Sequence, residues 1–250
     1  MQKRILYEFP HSHFCEKARW ALDFKGLTFS RVPLLPGWHV LTTKRHGRYS
    51  SVPLLIDGAN KVQGSGNILT YLDEAYPDYP LTRADKSEAI NKEKHFDLAL
   101  GVSLRAFVYY YSLKHKYFVS QAFMQNSPPW QRIVFSMQYP ALVHLIKRSY
   151  CPTEESAVQA GKTLLGALDQ VWAELDGKPY FQAEGFSRLD LTVCSLLSFV
   201  ARPKELPVIW PKFPDDPLLK EWDERLRAHP LIGWIQGIYR SHRPARVLRS

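Results

Sequence analysis

The pattern of apolar and polar residues changes repeatedly within the first third of the chain. Apolar residues occupy every second position in residues 3–9, which predicts a strand, whereas residues 14–25 show helical spacing. Residues 28–34 return to the strand pattern. Because strands joined through a helix form a crossover connection, these two strands are predicted to be parallel.

A hairpin and a helix are predicted next. Residues 52–56 form an apolar run with a proline near its start, and Asp57-Gly58-Ala59-Asn60 is a strong turn signal before the return strand at residues 61–63. Ser65 is a favoured N-cap residue for the following helix, which ends before Pro77. The predicted order is therefore βαβ followed by ββα, which is an α/β unit.

The rest of the chain is predicted to be helical. Residues 77–85 are rich in Pro, Asp and Tyr and lack periodicity, so we predict an α/β domain (1–77), a linker (78–86) and an all-helical domain (87–250). The Pro- and aromatic-rich residues 125–139 are predicted to be a flexible insertion over the cleft between the domains. Two amphipathic helices are predicted from apolar residues at helical spacing: Phe96, Leu100, Leu104, Phe107 and Tyr111 in one, and Leu165, Leu168, Trp172 and Leu175 in the other.

A capping box is predicted at residues 186–191. Ser187 has the position of the N-cap and Asp190 that of N3, while Phe186 and Leu191 flank them as a hydrophobic staple. This pattern indicates the start of a central helix in the second domain. It is a folding element and carries no chemistry of its own.

Composition narrows the possible functions. Apolar residues make up 45% and charged residues 23% of the 250 residues, which is ordinary for a globular protein. No apolar run approaches the roughly 20 residues that span a bilayer. Three separated cysteines are typical of a reducing compartment, and Glu8 interrupts the N-terminal stretch before a signal-peptide core can form. We therefore expect a cytoplasmic location.

The net charge of +9 has a simple explanation along most of the chain. Lys and Arg alternate with Asp and Glu in the predicted helices, as on a solvated helical surface, so we expect neither a nucleic-acid nor a membrane partner. The exception is the segment 240–249, which has four Arg and no acidic residue. It is either an anion-binding patch or a frayed basic terminus.

Three stretches carry a resemblance to a known family. Residues 10–15, Pro-His-Ser-His-Phe-Cys, are followed by Lys17-Ala18-Arg19; Val52-Pro53 is followed by Asp57-Gly58 and Ser65; and the capping box begins at Ser187. In this order and spacing the chain resembles the glutathione transferases, specifically their serine-type classes. The resemblance implies a thioredoxin-like N-terminal domain of βαβ-ββα order and an all-α C-terminal domain.

The resemblance also implies a role for individual residues. Val52-Pro53 would be a cis-proline turn whose Val52 backbone pairs with the cysteinyl part of glutathione, and Ser65 would bind the γ-glutamyl carboxylate or serve only as an N-cap. Ser12 would donate a hydrogen bond to the glutathione thiolate; its alternative is a plain N-cap role. Cys15 occupies the second cysteine position of the Cys-x-x-Cys in glutaredoxin-like relatives, and we expect it to be a small apolar residue.

The chain departs from the family pattern at several positions. Gly64 stands where an acidic residue or glutamine usually contacts the γ-glutamyl ammonium, and Gly66 follows the serine. Ser50-Ser51 replace a histidine near the cis-proline, which leaves His39, Lys44 or Arg48 as candidates for the glycyl carboxylate. A hydrophobic-substrate pocket is predicted from these residues: His13, Phe107, Tyr110, Tyr111, Phe118 and Trp130.

Two function classes follow from the resemblance, with a third beside them. The first is a glutathione transferase that attacks a hydrophobic electrophile, with glutathione as co-substrate, no permanently bound cofactor, no metal site and a homodimeric assembly. The second is a non-catalytic protein of the same fold that carries apolar ligands. The third is a thiol reductase or peroxidase acting through Cys15.

Overall fold

The computed structural model describes residues 3–83, 85–124, 127–151 and 153–243. Its first part is built on a mixed sheet whose strands are β1 (Arg4–Glu8), β2 (Ser30–Pro33), β3 (Leu54–Asp57) and β4 (Asn60–Gln63). The spatial order is β2-β1-β3-β4. β1 and β2 are parallel, with Tyr7 opposite Val32, whereas β1–β3 and β3–β4 are antiparallel. The predicted parallel pair and hairpin are both confirmed.

Three helices complete this part: α1 (His13–Phe24), α2 (His39–His46) and α3 (Ser65–Ala75). α1 packs on α3, and both contribute fully buried apolar residues to a core that includes Leu6 and Leu55 of the sheet. The turn between β3 and β4 contains Gly58 at a φ of 60°, a conformation that glycine adopts without steric cost. The predicted βαβ-ββα order is therefore correct.

The second part is helical. Its elements are α4 (Lys86–Phe96), a π-helical segment (Asp97–Val102), α5 (Ser103–Ser112), α6 (Lys116–Met124), α7 (Pro129–Tyr150), α8 (Glu154–Leu175), α9 (Arg188–Leu196), α10 (Ser198–Ala201), α11 (Pro217–Arg227) and α12 (Pro230–His242). No helix of the described residues is both long and apolar enough to cross a bilayer. Between Tyr76 and Asp85 the described residues form no regular element, and the domain limits themselves stay a prediction.

The two predicted amphipathic helices are present, with differences in detail. The first is continuous through α4, the π-helical segment and α5, and all five of its apolar marker residues are buried. The second is α8, whose buried face runs through Leu164, Leu168, Val171 and Leu175, whereas Trp172 is 37% exposed. The apolar spacing correctly located both helices. It wrongly placed Trp172 on the inner face of α8, where the neighbouring Val171 is buried instead.

The prediction of a flexible insertion at residues 125–139 is wrong for the residues that the structure describes. Residues 129–139 form the first half of the 22-residue helix α7; residues 125 and 126 lie outside the described residues. Pro128 is the N-cap and Pro129 the first helical residue, where a missing N–H costs no hydrogen bond. Phe135 and Tyr139 are buried, whereas Trp130 is 61% exposed.

The capping box at the start of α9 is confirmed. The Asp190 carboxylate accepts hydrogen bonds from the Ser187 N–H (2.8 Å) and hydroxyl (2.7 Å), while the Ser187 Oγ accepts from the Leu189 N–H (3.3 Å). Every residue of α9 is buried, which makes it the central helix of this part. The basic segment 240–249 is described only as far as Arg243, and its remaining residues lie outside the described part of the chain.

A buried ion network fixes the turn before α1. The Arg19 guanidinium donates to the Glu8 carboxylate (2.7 Å), to the Glu16 carboxylate (2.8 Å) and to the Pro10 carbonyl (3.0 Å). Arg243 donates to the other Glu16 oxygen (2.9 Å). Burial by itself lowers the pKa of Arg19, but the two carboxylates outweigh it and raise the pKa above its ordinary value. Charged partners on β1, α1 and the end of α12 therefore hold this turn in place.

Candidate functional site

Ser12 is the N-cap of α1. Its Oγ accepts a hydrogen bond from the Cys15 N–H at 3.3 Å, and its own N–H donates to the Phe9 carbonyl at 3.1 Å. A serine hydroxyl has one proton and two acceptor lone pairs, so this capping bond leaves the O–H free to donate. Ser12 therefore places a hydroxyl, whose proton the capping bond does not use, at the positive end of the α1 dipole.

The Ser12 side chain faces a cavity of about 170 Å³ between the two parts of the chain, which we call the aromatic cavity. Its wall on the α5 side consists of Leu104, Arg105, Val108, Tyr109 and Ser112, one face of that helix. Further lining residues are Phe9, His11, His13, Phe14, His39, Ser50, Ser51, Val52, Leu113, Phe118, Val119, Ala122, Phe123, Tyr150 and Phe199. No acidic side chain is among the described residues that line it.

Three histidines line the aromatic cavity, and burial lowers the pKa of each. His13 is the most affected: burial, with Arg105 nearby, lowers its pKa to about 3. His39 accepts a hydrogen bond from the Gly37 N–H at its Nδ1, and its Nε2 lies 2.9 Å from the Ser50 carbonyl. Burial is also the largest effect on the pKa of His11, and the backbone carbonyls of Ile209 and Ala122 act in the opposite direction. At neutral pH these three histidines are therefore uncharged, and they give the cavity polar groups without a positive charge.

Most of the predicted hydrophobic-pocket residues lie elsewhere. His13 and Phe118 line the aromatic cavity, but Phe107, Tyr110 and Tyr111 are packed in a separate cluster on the opposite face of α5, and Trp130 is 61% exposed. Phe107 also borders a second, small cavity. The apolar spacing selected the face of α5 that packs against α8, which is the ordinary location of aromatic residues in a helix.

A second concavity, which we call the polar groove, adjoins the aromatic cavity at Phe14 and Val52, residues that line both. It has a volume of about 340 Å³. Its lining on the α3 side includes Pro53, Gly64, Ser65, Gly66, Asn67 and Thr70. Its opposite wall is formed by Ile90, Glu93, Lys94, Asp97 and Arg188. A ligand bound across the junction would contact both spaces.

On the α3 side of the groove, the cis-proline is as predicted, but α3 has a different N-cap residue. The Val52–Pro53 bond is cis, as predicted. The N-cap of α3 is Gly64, at a φ of 91°, and Ser65 is the first helical residue, so the expectation that Ser65 is the N-cap is wrong. Glycine suits this position because its backbone adopts positive φ without a steric penalty. Ser65, which is 6% exposed, thus presents both its N–H and its hydroxyl at the start of the helix.

The opposite wall of the groove carries compensated charge. Lys17, which is fully buried beneath it, lies 2.6 Å from the Glu93 carboxylate and 2.8 Å from the Asp97 carboxylate, and Arg188 pairs with Glu93. The Asp97 side chain is 23% exposed, whereas that of Glu93 is 2% exposed. Burial raises the pKa of Asp97, and Lys17 opposes that effect. Asp97 is therefore the carboxylate of this cluster that is open to the groove.

The candidates for the glycyl carboxylate lie apart. His39 lines the aromatic cavity, whereas Lys44 and Arg48 are exposed and line neither space. The loop between α2 and β3 is held by Gln63, whose amide oxygen accepts from the backbone N–H groups of Arg48 and Tyr49, each at 2.9 Å. Gln63 thus positions the loop that carries Ser50, Ser51 and Val52, a role that no sequence motif signalled.

Cys15 lies in the first turn of α1 and is fully buried. Burial, and then the Glu8 carboxylate, raise the pKa of its thiol to about 11. A protonated, solvent-inaccessible thiol is a weak nucleophile. The expectation that Cys15 acts as a small apolar residue of the helix is consistent with both observations.

Sequence reasoning missed two charged residues of the site. Arg105 interrupts an otherwise apolar stretch of α5, which was the available signal for it. Asp97 gave no signal, because a carboxylate in a helix with many charges is ordinary on a solvated surface. Asp97 is the first residue of the π-helical segment, where it lies beside Lys17 and lines the groove.

Comparisons with known proteins agree with this geometry. Residues 6–80 match the family model described as glutathione S-transferase, N-terminal domain. A zeta-class glutathione S-transferase of Euphorbia esula is 37% identical over 93 residues, which are 36% of this chain and 41% of that protein. Glutathione S-transferase Z1 of Arabidopsis thaliana is 36% identical over 87 residues, 34% of this chain and 39% of that protein. The chain thus matches about two fifths of these relatives' length.

Solved structures extend the likeness to the whole chain. A glutathione S-transferase of Ceriporiopsis subvermispora in complex with glutathione aligns with 98% of this chain and 99% of its own, at a TM-score of 0.62 and 18% identity. A glutathione transferase of Phanerochaete chrysosporium aligns with 98% and 100%, at a TM-score of 0.61 and 19% identity. Residues 6–80 therefore match the glutathione S-transferase N-terminal domain, and the chain as a whole has the glutathione S-transferase fold.

Proposed function

We propose that this protein is a glutathione transferase in which Ser12 activates the glutathione thiol for attack on a hydrophobic electrophile. The observation that carries the proposal is the Ser12 hydroxyl, whose proton its capping bond does not use, at the N-terminus of α1 and in the aromatic cavity that adjoins the polar groove. A thiol with an ordinary pKa of about 8.5 is mostly protonated at neutral pH, and a hydrogen bond from Ser12 would stabilise its thiolate.

The polar groove has complementary groups for the γ-glutamyl end of glutathione. Ser65 would bind the carboxylate through its N–H and hydroxyl at the start of α3, and the Val52 backbone would pair with the cysteinyl residue. Gly64 has no side chain for the γ-glutamyl ammonium, and we assign that contact to Asp97 on the opposite wall. Of the three candidates predicted for the glycyl carboxylate, His39 is disfavoured because both of its ring nitrogens already face backbone groups, which leaves Lys44 and Arg48.

The likeness to glutathione transferases also supports proposals about the assembly, the cellular location and the role of this protein. We propose a homodimer that works in the cytoplasm in detoxification, with the electrophile held in the aromatic cavity beside Ser12. Light scattering of the purified chain tests the dimer, and a monomer at micromolar concentration would contradict it. The reductase alternative is disfavoured, since the Cys15 thiol is buried and its pKa is raised.

The test is titration calorimetry of the protein with reduced glutathione to millimolar concentration, followed by kinetics of Ser12→Ala. We expect saturable binding that weakens in Asp97→Asn, because the ammonium would lose its charged acceptor. A hydrogen bond to a charged group contributes roughly 1.5–3 kcal/mol, so Ser12→Ala should raise the pKa of the bound thiol by one to two units and lower kcat/KM at neutral pH by roughly 10- to 100-fold.

Two outcomes would overturn parts of this proposal. If no heat of binding is measured with glutathione, the fold serves another ligand. If glutathione binds but Ser12→Ala leaves both the thiol pKa and kcat/KM unchanged, Ser12 is only the N-cap of α1, and the non-catalytic carrier becomes the better interpretation.

A further inference from the structure

Arg105 is a charged residue of the aromatic cavity, and it forms no ion pair among the described residues. Its Nε is buried and has no hydrogen-bond partner among the described residues. The described lining of the cavity includes no acidic side chain. In contrast, Arg19, Arg188, Arg202 and Arg243 each form an ion pair with Asp or Glu.

The guanidinium of Arg105 is held in place by aromatic rings. It lies 4.4 Å from the ring centre of Tyr150 and 5.6 Å from that of Phe14. Such contacts orient the planar group without occupying its N–H donors, which lie in the plane and remain available. The remaining titratable cations of the lining are histidines whose pKa is lowered, so Arg105 supplies the lasting positive charge of the cavity.

A partly buried guanidinium with unused donors is suited to a carboxylate or sulfonate, which it binds through two parallel hydrogen bonds. The rest of the cavity is aromatic and aliphatic. We infer that the electrophile taken by this protein is an anionic aromatic compound, whose acidic group pairs with Arg105 while its apolar ring lies against Tyr109 and Phe118. This inference rests on the proposed function, and it deepens it by naming the substrate class.

The kinetic test uses two electrophiles of the same shape, one anionic and one neutral: a chloronitrobenzoate with chlorine ortho to the nitro group, and the corresponding chloronitrobenzamide. In both, the glutathione sulfur forms a bond to the ring carbon that carries chlorine, and chloride leaves with the bonding electrons after the thiol proton has passed to solvent. The measured quantity is the ratio of kcat/KM for the acid to kcat/KM for the amide. Comparing this ratio between variants cancels the different intrinsic reactivities of the two compounds.

We expect Arg105→Gln to lower this ratio by about tenfold or more, because a charge-assisted bidentate pair is lost. Arg105→Lys keeps the charge without the planar fork and should lower the ratio by less. Lys114→Gln, which removes an exposed cation just beyond α5 that does not line the cavity, is the control and should leave the ratio unchanged. If Arg105→Gln lowers both kcat/KM values equally, Arg105 acts on the thiolate or the fold, and the inference is overturned.

A binding experiment separates this inference from the proposed function. Anilinonaphthalene sulfonate and its uncharged relative N-phenylnaphthylamine are titrated by fluorescence without glutathione, and chloronitrobenzoate is used to displace them. We expect Arg105→Gln to weaken the sulfonate about tenfold and the uncharged dye much less. Equal binding of the sulfonate to both proteins would overturn the anion site. If glutathione does not bind but Arg105→Gln still weakens the sulfonate more than the uncharged dye, only the transferase proposal is overturned.

Discussion

A single hydroxyl can serve both roles that the sequence left open for Ser12. As N-cap, its oxygen accepts from the Cys15 N–H, and capping residues of this kind stabilise a helix by roughly 1 kcal/mol. The proton of the same hydroxyl is not used in that bond. The sequence alternatives of a cap or a thiol activator are therefore compatible, and only kinetics of the Ser12→Ala variant separates them.

His13 predicts a pH dependence of stability. Its pKa is about 3 in the folded protein, chiefly through burial, and about 6.5 in an unfolded chain, so the unfolded state binds the extra proton between these values. Stability should therefore fall as the pH falls below about 6.5. For this residue alone, the free energy of unfolding should decrease by about 2 kcal/mol between pH 7 and pH 5.

The measurement is chemical denaturation at these two pH values for three proteins. His13→Asn should lose less free energy on acidification than the unaltered protein, because its side chain does not titrate. His144→Gln, at an exposed position of α7, is the control and should behave like the unaltered protein. An equal loss in His13→Asn would show that the acid sensitivity comes from other groups.

At the scale of elements, the π-helical segment lies against the first turns of α1. Gly101 lies in this segment, beside the ring of Phe14. A Cβ at this position would lie 2.7 Å from the Phe14 ring and 2.8 Å from the Leu196 side chain. The absence of a side chain at Gly101 thus sets the position of Phe14, which lines both the cavity and the groove.

Gly101→Ala should therefore destabilise the protein. Helix propensity favours alanine by about 1 kcal/mol, but overpacking against a rigid ring and a buried leucine costs typically 1–3 kcal/mol, so the steric effect prevails. Gly166→Ala in α8 is the matched control, since nothing lies within 4 Å of its added Cβ, and it should gain up to about 1 kcal/mol. Thermal denaturation of both variants checks this, and a stabilised Gly101→Ala would contradict the close packing.

The two faces of α5 show why the element was easier to predict than the site. Its apolar spacing correctly indicated a helix, and Phe107 and Tyr111 are buried as that spacing requires. The same residues do not line the aromatic cavity because they pack against α8 and α11, whereas Tyr109 and Arg105 face it. Both faces of this helix contain aromatic residues, so periodicity alone does not tell which one borders a ligand.

At the scale of the whole molecule, one core joins the sheet to the helical part. It includes Leu6 and Leu55 of the sheet together with Leu104, Leu168 and Ile235 of the later helices. α1 packs on α9, and Arg243 at the end of α12 pairs with Glu16 of α1. Because the buried apolar surface is shared, neither part is expected to unfold while the other stays folded.

Cysteine labelling tests this cooperativity. Cys15 of α1 and Cys194 of α9 are both fully buried and free, so each should react with a thiol reagent only when its surroundings unfold. We expect the two thiols to become reactive at the same denaturant concentration, as resolved by mass spectrometry of the labelled peptides. Labelling of Cys15 at a clearly lower concentration than Cys194 would show that the sheet part opens separately.

The sequence by itself determined the order of elements, the hairpin, the capping box of α9 and the position of Ser12 between a strand and a helix. These features depend on local spacing, turn residues and caps, which a short stretch of chain specifies. Only the tertiary structure decided that Asp97 faces the groove, that the Arg105 Nε has no hydrogen-bond partner among the described residues and that α7 replaces the expected insertion. Those features depend on which helix faces meet across the fold, and residues distant in sequence determine that.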